Sequence, residues 1–306
     1  MRLAVPDMIS NSYFPSISAV ELGDFAEQGL DVSHELIYPV DKCYGALRDG
    51  AVDFVGGSAH AVLSAFPRWE GARLLCALSQ GMYWFLVMRA GEGHARGDLG
   101  AVRGKKIGAA PWVDIGLKRM LMEGGIDLER DGVEIAPVPG TSGPRVSFGV
   151  TAARALEEGL LDGFWANGMG AEIAVTRGVG TIVADVRRGD GPKPAFNYTQ
   201  PVLVATERLI ADRPDDAAAA VRAIVSTQDR LKQDVGRATG IGEKLFGPDE
   251  AKLIARVVER DLPFYDPAIS EGFVEGMNAF ALDMGILDRP VPYERVVATE
   301  FAELRG

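Results

Sequence analysis

The stretch Leu47-Arg48-Asp49-Gly50-Ala51-Val52-Asp53-Phe54 turns a helix into a strand within one short joint, and Leu156-Glu157-Glu158-Gly159-Leu160-Leu161-Asp162-Gly163-Phe164 does so again later in the chain. In both, a glycine follows the helical pattern and supplies the positive φ of a helix C-cap, and the apolar pair after it enters a sheet. Working outward from the first joint, residues 3–5 are an apolar run, and 15–25 carry a helical stripe of Ile17, Val20, Leu22 and Phe25. Residues 32–37 alternate like a strand, 41–48 read as helix, 51–55 as strand and 59–66 as helix. Around the second joint, strands are predicted at 106–109, 133–138, 161–165 and 178–186, with helices at 113–122 and 150–158. This alternation predicts α/β lobes, each a mainly parallel sheet flanked by helices.

Between the two series, residues 82–88 form a nearly continuous apolar run, which suits a strand buried on both faces. The polar, glycine-rich Gly91-Glu92-Gly93-His94-Ala95-Arg96-Gly97 then reads as a boundary. A second loop spans 187–194, a strand follows at 200–205, and the remainder is predicted helical at about 207–211, 214–235, 248–260 and 267–284. Residues 90–195 are nearly neutral, whereas the rest holds almost all of the net charge of −11. The expected division is therefore lobe I at 1–89 plus 196–306 and lobe II at 90–195, with the chain crossing twice. Two lobes joined by a double crossing make a hinged clamp, and ligands favour the cleft between such lobes.

The 306 residues suffice for two domains, and 47% hydrophobic with 25% charged residues is a soluble globular profile. An excess of 43 acidic over 32 basic residues argues against a nucleic-acid partner and against a polybasic membrane anchor. No apolar run is long enough to insert in a membrane. Cys43 and Cys76 are read as free thiols in apolar surroundings. His34, His60 and His94 are dispersed, with no metal-ligand spacing, and no phosphate-binding glycine loop or serine-nucleophile elbow occurs. No metal and no cofactor is expected. The N-terminus lacks an apolar signal segment, so the expected location is cytoplasmic, or periplasmic if the start replaces a removed signal peptide.

Four segments carry a family resemblance: Glu21-Leu22-Gly23-Asp24-Phe25-Ala26-Glu27-Gln28-Gly29-Leu30-Asp31-Val32, the two joints quoted above, and Leu99-Gly100-Ala101-Val102-Arg103-Gly104-Lys105-Lys106-Ile107-Gly108. In this order and spacing they resemble the periplasmic-binding-protein type II family, in its branch of sulfonate, taurine and nitrate binding proteins of ABC importers and the thiamine-pyrimidine precursor synthase of yeasts. The resemblance implies a two-lobe fold with its ligand cleft between the lobes. It leaves function open, because that fold hosts transport receptors and several enzymes.

Candidate site residues follow from the loops after the strands, where ligands sit in open α/β sheets. Ser10, Asn11, Ser12 and Tyr13 gather hydrogen-bonding groups after the first strand; one of them, Ser12, also suits a helix cap. After the third strand, Gly56 and Gly57 would let backbone approach a ligand, Ser58 suits a cap, and His60 falls near the functional histidine of the yeast synthase. In lobe II, Trp112, Trp165 and Asn167 stand at strand ends, as stacking surfaces and an amide. Arg145 offers a partner for a carboxylate or sulfonate, and Tyr83 and Tyr198 lie near the crossings. Trp84 is read as core and Trp69 as a surface cover. The expected function is capture of a small organic ligand, sulfonate, aromatic carboxylate or pyrimidine-like, for delivery to an ABC permease, with no bond made or broken. The alternative is a cytoplasmic enzyme on the same fold, a decarboxylase or pyrimidine-processing enzyme, with His60 as acid/base. Relatives that cleave carbon–sulfur bonds use a cysteine after the first strand, where this chain has Ser10 and Ser12, and the cysteine-rich motif of the yeast synthase is missing near Asn197-Tyr198-Thr199-Gln200.

Overall fold

Ten strands make two five-stranded sheets in a computed structural model that describes residues 1–141 and 147–306. The first sheet holds β1 (Arg2–Val5), β2 (Ser33–Leu36), β3 (Phe54–Ser58), β4 (Ala72–Ala77) and β10 (Pro201–Thr206), in the order β2-β1-β3-β10-β4. The second holds β5 (Phe85–Arg89), β6 (Lys106–Ala109), β7 (Glu134–Ala136), β8 (Gly163–Ala166) and β9 (Gly180–Asp185), in the order β7-β6-β8-β5-β9. The two orders are the same topology used twice. In each sheet the strand that enters directly after a crossing, β5 or β10, is antiparallel to both its neighbours, and the other four share one direction. Both sheets are therefore mixed.

Period-two alternation divides the first sheet between two cores. Leu3, Val5, Phe54 and Leu203 face a core shared with the second lobe, while Ala4, Val55, Val202 and Val204 face the helices Val40–Arg48 and Glu271–Asp283. Trp69 is fully buried in that outer core, so the surface position expected for it is wrong. Its charged neighbours Arg68 and Glu70 pair with each other at the surface while the indole turns inward.

The first crossing differs from expectation. Phe85–Arg89 pairs with β8 and β9, so the boundary expected at residue 89 moves to before Phe85. An apolar run announces a buried strand but carries no signal of which sheet will bury it. The return crossing falls between Asp185 and Pro201. The two crossings are tied to each other: Met82 N–H donates to the Phe196 carbonyl at 2.9 Å, and Gly81, at φ +72, leaves room for the Phe196 ring, which a Cβ would meet at 2.4 Å. Between them lies Arg187, fully buried, paired with Asp261 at 3.2 Å and donating to Ser79 Oγ and the Gly81 carbonyl. Asn11 Nδ2 donates to the same Asp261 carboxylate. No helix among the described residues is long and apolar enough to cross a membrane.

Candidate ligand-binding cleft

Strand ends from both lobes converge on one cavity of about 40 Å³. Pro6 and Asp7 follow β1, Tyr38 follows β2, Ala110 and Pro111 follow β6, Ala166 and Asn167 close β8, and Trp84 precedes β5. Tyr13, Val40, Val113 and Phe148 complete the wall. The carboxyl ends of β1, β2, β6 and β8 thus meet at the junction, the position ligands take in open α/β sheets. Tyr38 of the first lobe and Phe148 of the second stack across the cavity, ring centroids 6.2 Å apart and 20° from parallel.

Asp7 is the polar centre of this junction. Its Oδ1 accepts from its own loop, the Ile9 N–H at 3.0 Å. Its Oδ2 accepts only from the second lobe: Asn167 Nδ2 at 3.0 Å, Ser147 Oγ at 3.2 Å and the Gly149 N–H at 3.5 Å. Those donors begin two helices, Phe148–Glu157 and Gly168–Thr176, whose N-termini favour negative charge. The termini come together because neither contact residue has a side chain: a Cβ on Gly170 would lie 2.7 Å from the Gly149 carbonyl oxygen. Asn167 caps its helix, its Oδ1 accepting from the N–H groups of Met169 and Gly170, which fixes the amide so that Nδ2 faces Asp7. Burial pushes the Asp7 carboxyl up to about 7, with the four hydrogen bonds holding it back.

Behind the cavity stands an aromatic wall. Trp84 lines the cavity and packs against Tyr83, Trp165 and His60, at centroid distances of 4.6, 6.1 and 6.1 Å. His60 crosses the cleft: its Nε2–H donates to the Trp112 carbonyl at 2.8 Å, which makes Nδ1 the unprotonated nitrogen, buried and with no hydrogen-bond partner among the described residues. Burial lowers the imidazole to about 4, so it is neutral at physiological pH. Trp112 holds φ +68 at the head of the helix Val113–Glu123, a conformation bulky residues rarely adopt.

Of the residues expected from sequence, Tyr13 and Asn167 line the cavity. Tyr83 bonds the Tyr13 hydroxyl at 2.7 Å, and His60, Trp112 and Trp165 form the layer behind. Ser10, Asn11 and Ser12 are buried but do not line the cavity; Ser10 Oγ accepts from Ser12 N–H, and Asn11 is engaged with Asp261. Ser12 does not cap the first helix: that position falls to Tyr13, without a side-chain bond. Ser58 precedes a 3-10 turn, Ala59–Ser64, in place of the expected α-helix and makes no capping bond. Gly56 and Gly57 admit Ser16 and Tyr44, each of whose hydroxyls would meet an added Cβ at 2.6 Å, rather than a ligand. Tyr198 is drawn away, stacked on Phe280 at 4.7 Å and donating to the Glu123 carboxylate. Arg145 lies outside the described residues. Trp84 is core, as expected, and also lines the cavity, while Asp7, passed over within its loop, Tyr38 and Phe148 are the site residues that sequence reasoning did not single out. An aspartate in the loop just after the first strand, behind Pro6, was the available signal for Asp7. Among the described residues no group of His, Cys, Asp or Glu is placed to hold a metal ion.

No protein-family model and no curated protein matches this sequence. Solved structures do match. A protein from Bordetella bronchiseptica RB50 aligns at TM-score 0.74 and 19% identity over 99% of this chain and 95% of its own. The alkanesulfonate-binding protein SsuA from Xanthomonas axonopodis pv. citri, bound to MOPS, aligns at TM-score 0.72 and 14% identity over 97% of each chain. The desulfurization enzyme DSZB aligns at TM-score 0.65 and 15% identity over 99% of this chain and 97% of its own. With two sheets of one shared topology, crossed twice by the chain, this protein has the two-lobe fold of the type II periplasmic binding proteins.

Proposed function

We propose that this chain is a substrate-binding protein, one that closes its two lobes on a small, flat organic ligand and presents it to an ABC-type permease. The observation that carries the reading is the cavity at the lobe junction, walled by aromatic rings from both lobes and bridged by Asp7 and His60. A site split between two lobes couples ligand contact to lobe closure, and closure is the signal a membrane partner can read. The likeness to SsuA supports the same reading at the level of fold. Periplasmic residence follows from this proposal rather than from the chain itself.

The second reading, an enzyme, has the likeness to DSZB in its favour. The residues favour it less. Cys43 and Cys76 are buried away from the cavity, and burial raises both thiols, Cys76 to about 12. His60 stands behind Trp84, and a group near 4 is poorly matched to proton transfer at neutral pH. Mass spectrometry of ligand released from protein purified from its native host tests the choice. An unchanged small molecule that rebinds supports capture. A product that accumulates with wild-type protein and not with His60→Ala assigns the enzyme.

A further inference from the structure

Asp7 occupies the place where a two-lobe clamp would most readily hold an anion. The converging N-termini of Phe148–Glu157 and Gly168–Thr176 present the Gly149 N–H, Ser147 Oγ and Asn167 Nδ2 to a single point, and the point is filled by the chain's own carboxylate oxygen. An oxyanion ligand seeking those donors would have to displace Asp7, or sit within a few ångströms of it among Tyr13, Tyr38, Trp84 and Phe148. In such poorly solvated surroundings like charges repel far more strongly than in water. The same wall favours another kind of ligand. Tyr38 and Phe148 face each other at 6.2 Å, close to the roughly 7 Å at which two rings hold a third between them at van der Waals contact, so slight lobe opening admits a flat ring.

Resting on the capture reading above, we propose that Asp7 sets the charge class of the ligand: its carboxylate blocks sulfonates and carboxylates and reserves the cleft for flat rings that are uncharged or cationic. Of the three ligand chemistries expected from sequence, this retains the pyrimidine-like one. Asp7 is thus a specificity-determining residue, holding the second lobe's donors when an anion would otherwise take them.

The test uses the full chain at pH 8, where the Asp7 carboxyl, pushed up to about 7, is largely ionised. Calorimetric titration compares benzenesulfonate, benzoate and ethanesulfonate with benzamide, 4-aminopyrimidine and benzamidine. It is run on wild type, on the near-isosteric Asp7→Asn, and on Asp7→Ser in case the amide disturbs folding. The expected result is that wild type prefers the uncharged and cationic rings, and that removing the charge raises affinity for at least one anion by about tenfold or more. A wild-type protein that binds benzenesulfonate or benzoate as tightly as the uncharged rings overturns the proposal. So do folded variants that gain no anion affinity. Scattering on the same mixtures separates the two claims: binding without compaction counts against capture by closure, whereas compaction of wild type on an anion counts against the role of Asp7.

Discussion

Asp7 and His60 oppose each other in their effect on stability. Asp7 is raised from 3.8 to about 7, so its native form holds a proton that the unfolded chain has released. Its contribution is present at low pH and is lost as pH climbs from about 4 to 7, a fall on the order of 4 kcal/mol. His60 is lowered from 6.5 to about 4, so its contribution is present above 6.5 and is lost as pH falls toward 4, on the order of 3 kcal/mol. Between pH 4 and 6.5 the two slopes cancel. Urea unfolding at a series of pH values should separate them. Relative to wild type, Asp7→Asn should gain stability as pH rises through that window, because only the His60 slope remains, and His60→Gln should lose it. Variant curves parallel to the wild-type curve would show that neither group titrates as its burial implies. Neither assignment was legible in the sequence, since both rest on burial. Residue type and strand-end position were visible for His60, but the Trp112 carbonyl that fixes its tautomer lies in the other lobe.

The second lobe's two anion-favouring helices depend on a backbone contact that no larger residue permits. Gly170→Ala sets a Cβ 2.7 Å from the Gly149 carbonyl oxygen, so the helices must separate and the Asp7 bonds lengthen. Overpacking of this kind costs about 1–3 kcal/mol. Gly272→Ala, in the helix Glu271–Asp283 with nothing within 4 Å, is the control and should be neutral or stabilising by up to about 1 kcal/mol. Equal losses in the two variants, measured by denaturant unfolding, would mean the contact carries no strain. Beside the crossings, Asp261→Ala strips Arg187 of its one direct ion-pair partner among the described residues, leaving the buried Asp185 farther off, and should cost about 3–5 kcal/mol. A loss below 1 kcal/mol would mean that Ser79, the Gly81 carbonyl and the faces of Tyr83 and Phe264 suffice for the cation. Elements with clear period and punctuation were readable in advance: the helices Val113–Glu123 and Pro214–Gln233 match the apolar spacing. Those lost were the ones whose residues contradict their state. The helix Gly168–Thr176 carries Gly168 and Gly170 in its first turn, which weakens its helical signal although Asn167 caps it, and Arg237–Leu245 carries Gly240 and Gly242.

At the scale of the whole molecule the two-lobe plan was legible and the residues that meet between the lobes were not. Alternating helix and strand signals are local, whereas the cleft pairs Asp7 with Asn167 and Tyr38 with Phe148 across long stretches of chain. The lobes are bridged in this arrangement by Asp7 and His60 inside and by Arg119–Asp283 at 2.7 Å and Arg256–Glu172 at 3.0 Å outside. They enclose about 40 Å³, far below the roughly 300–1,000 Å³ of a small-molecule site. Ligand entry therefore requires the lobes to part, and the chain passes between the two sheets through residues 78–84 and 186–200. Opening about those segments exposes the ring faces of Tyr38 and Phe148, and a ligand held by both restores closure. A ligand that binds the folded chain and not the unfolded one, at about 100 times its dissociation constant, adds roughly 2.7 kcal/mol of stability. For lobes of this size that is a melting shift of a few degrees. Phe148→Ala should reduce the shift by removing one face of the sandwich while leaving Tyr38 and the first-lobe contacts in place. Small-angle scattering should show the free protein more extended than the liganded one, and the liganded one no more compact than the closed arrangement described here, since the ligand must occupy added space. A ligand that raises the melting temperature while the scattering profile stays extended would refute the clamp and leave a one-lobe binding site in its place.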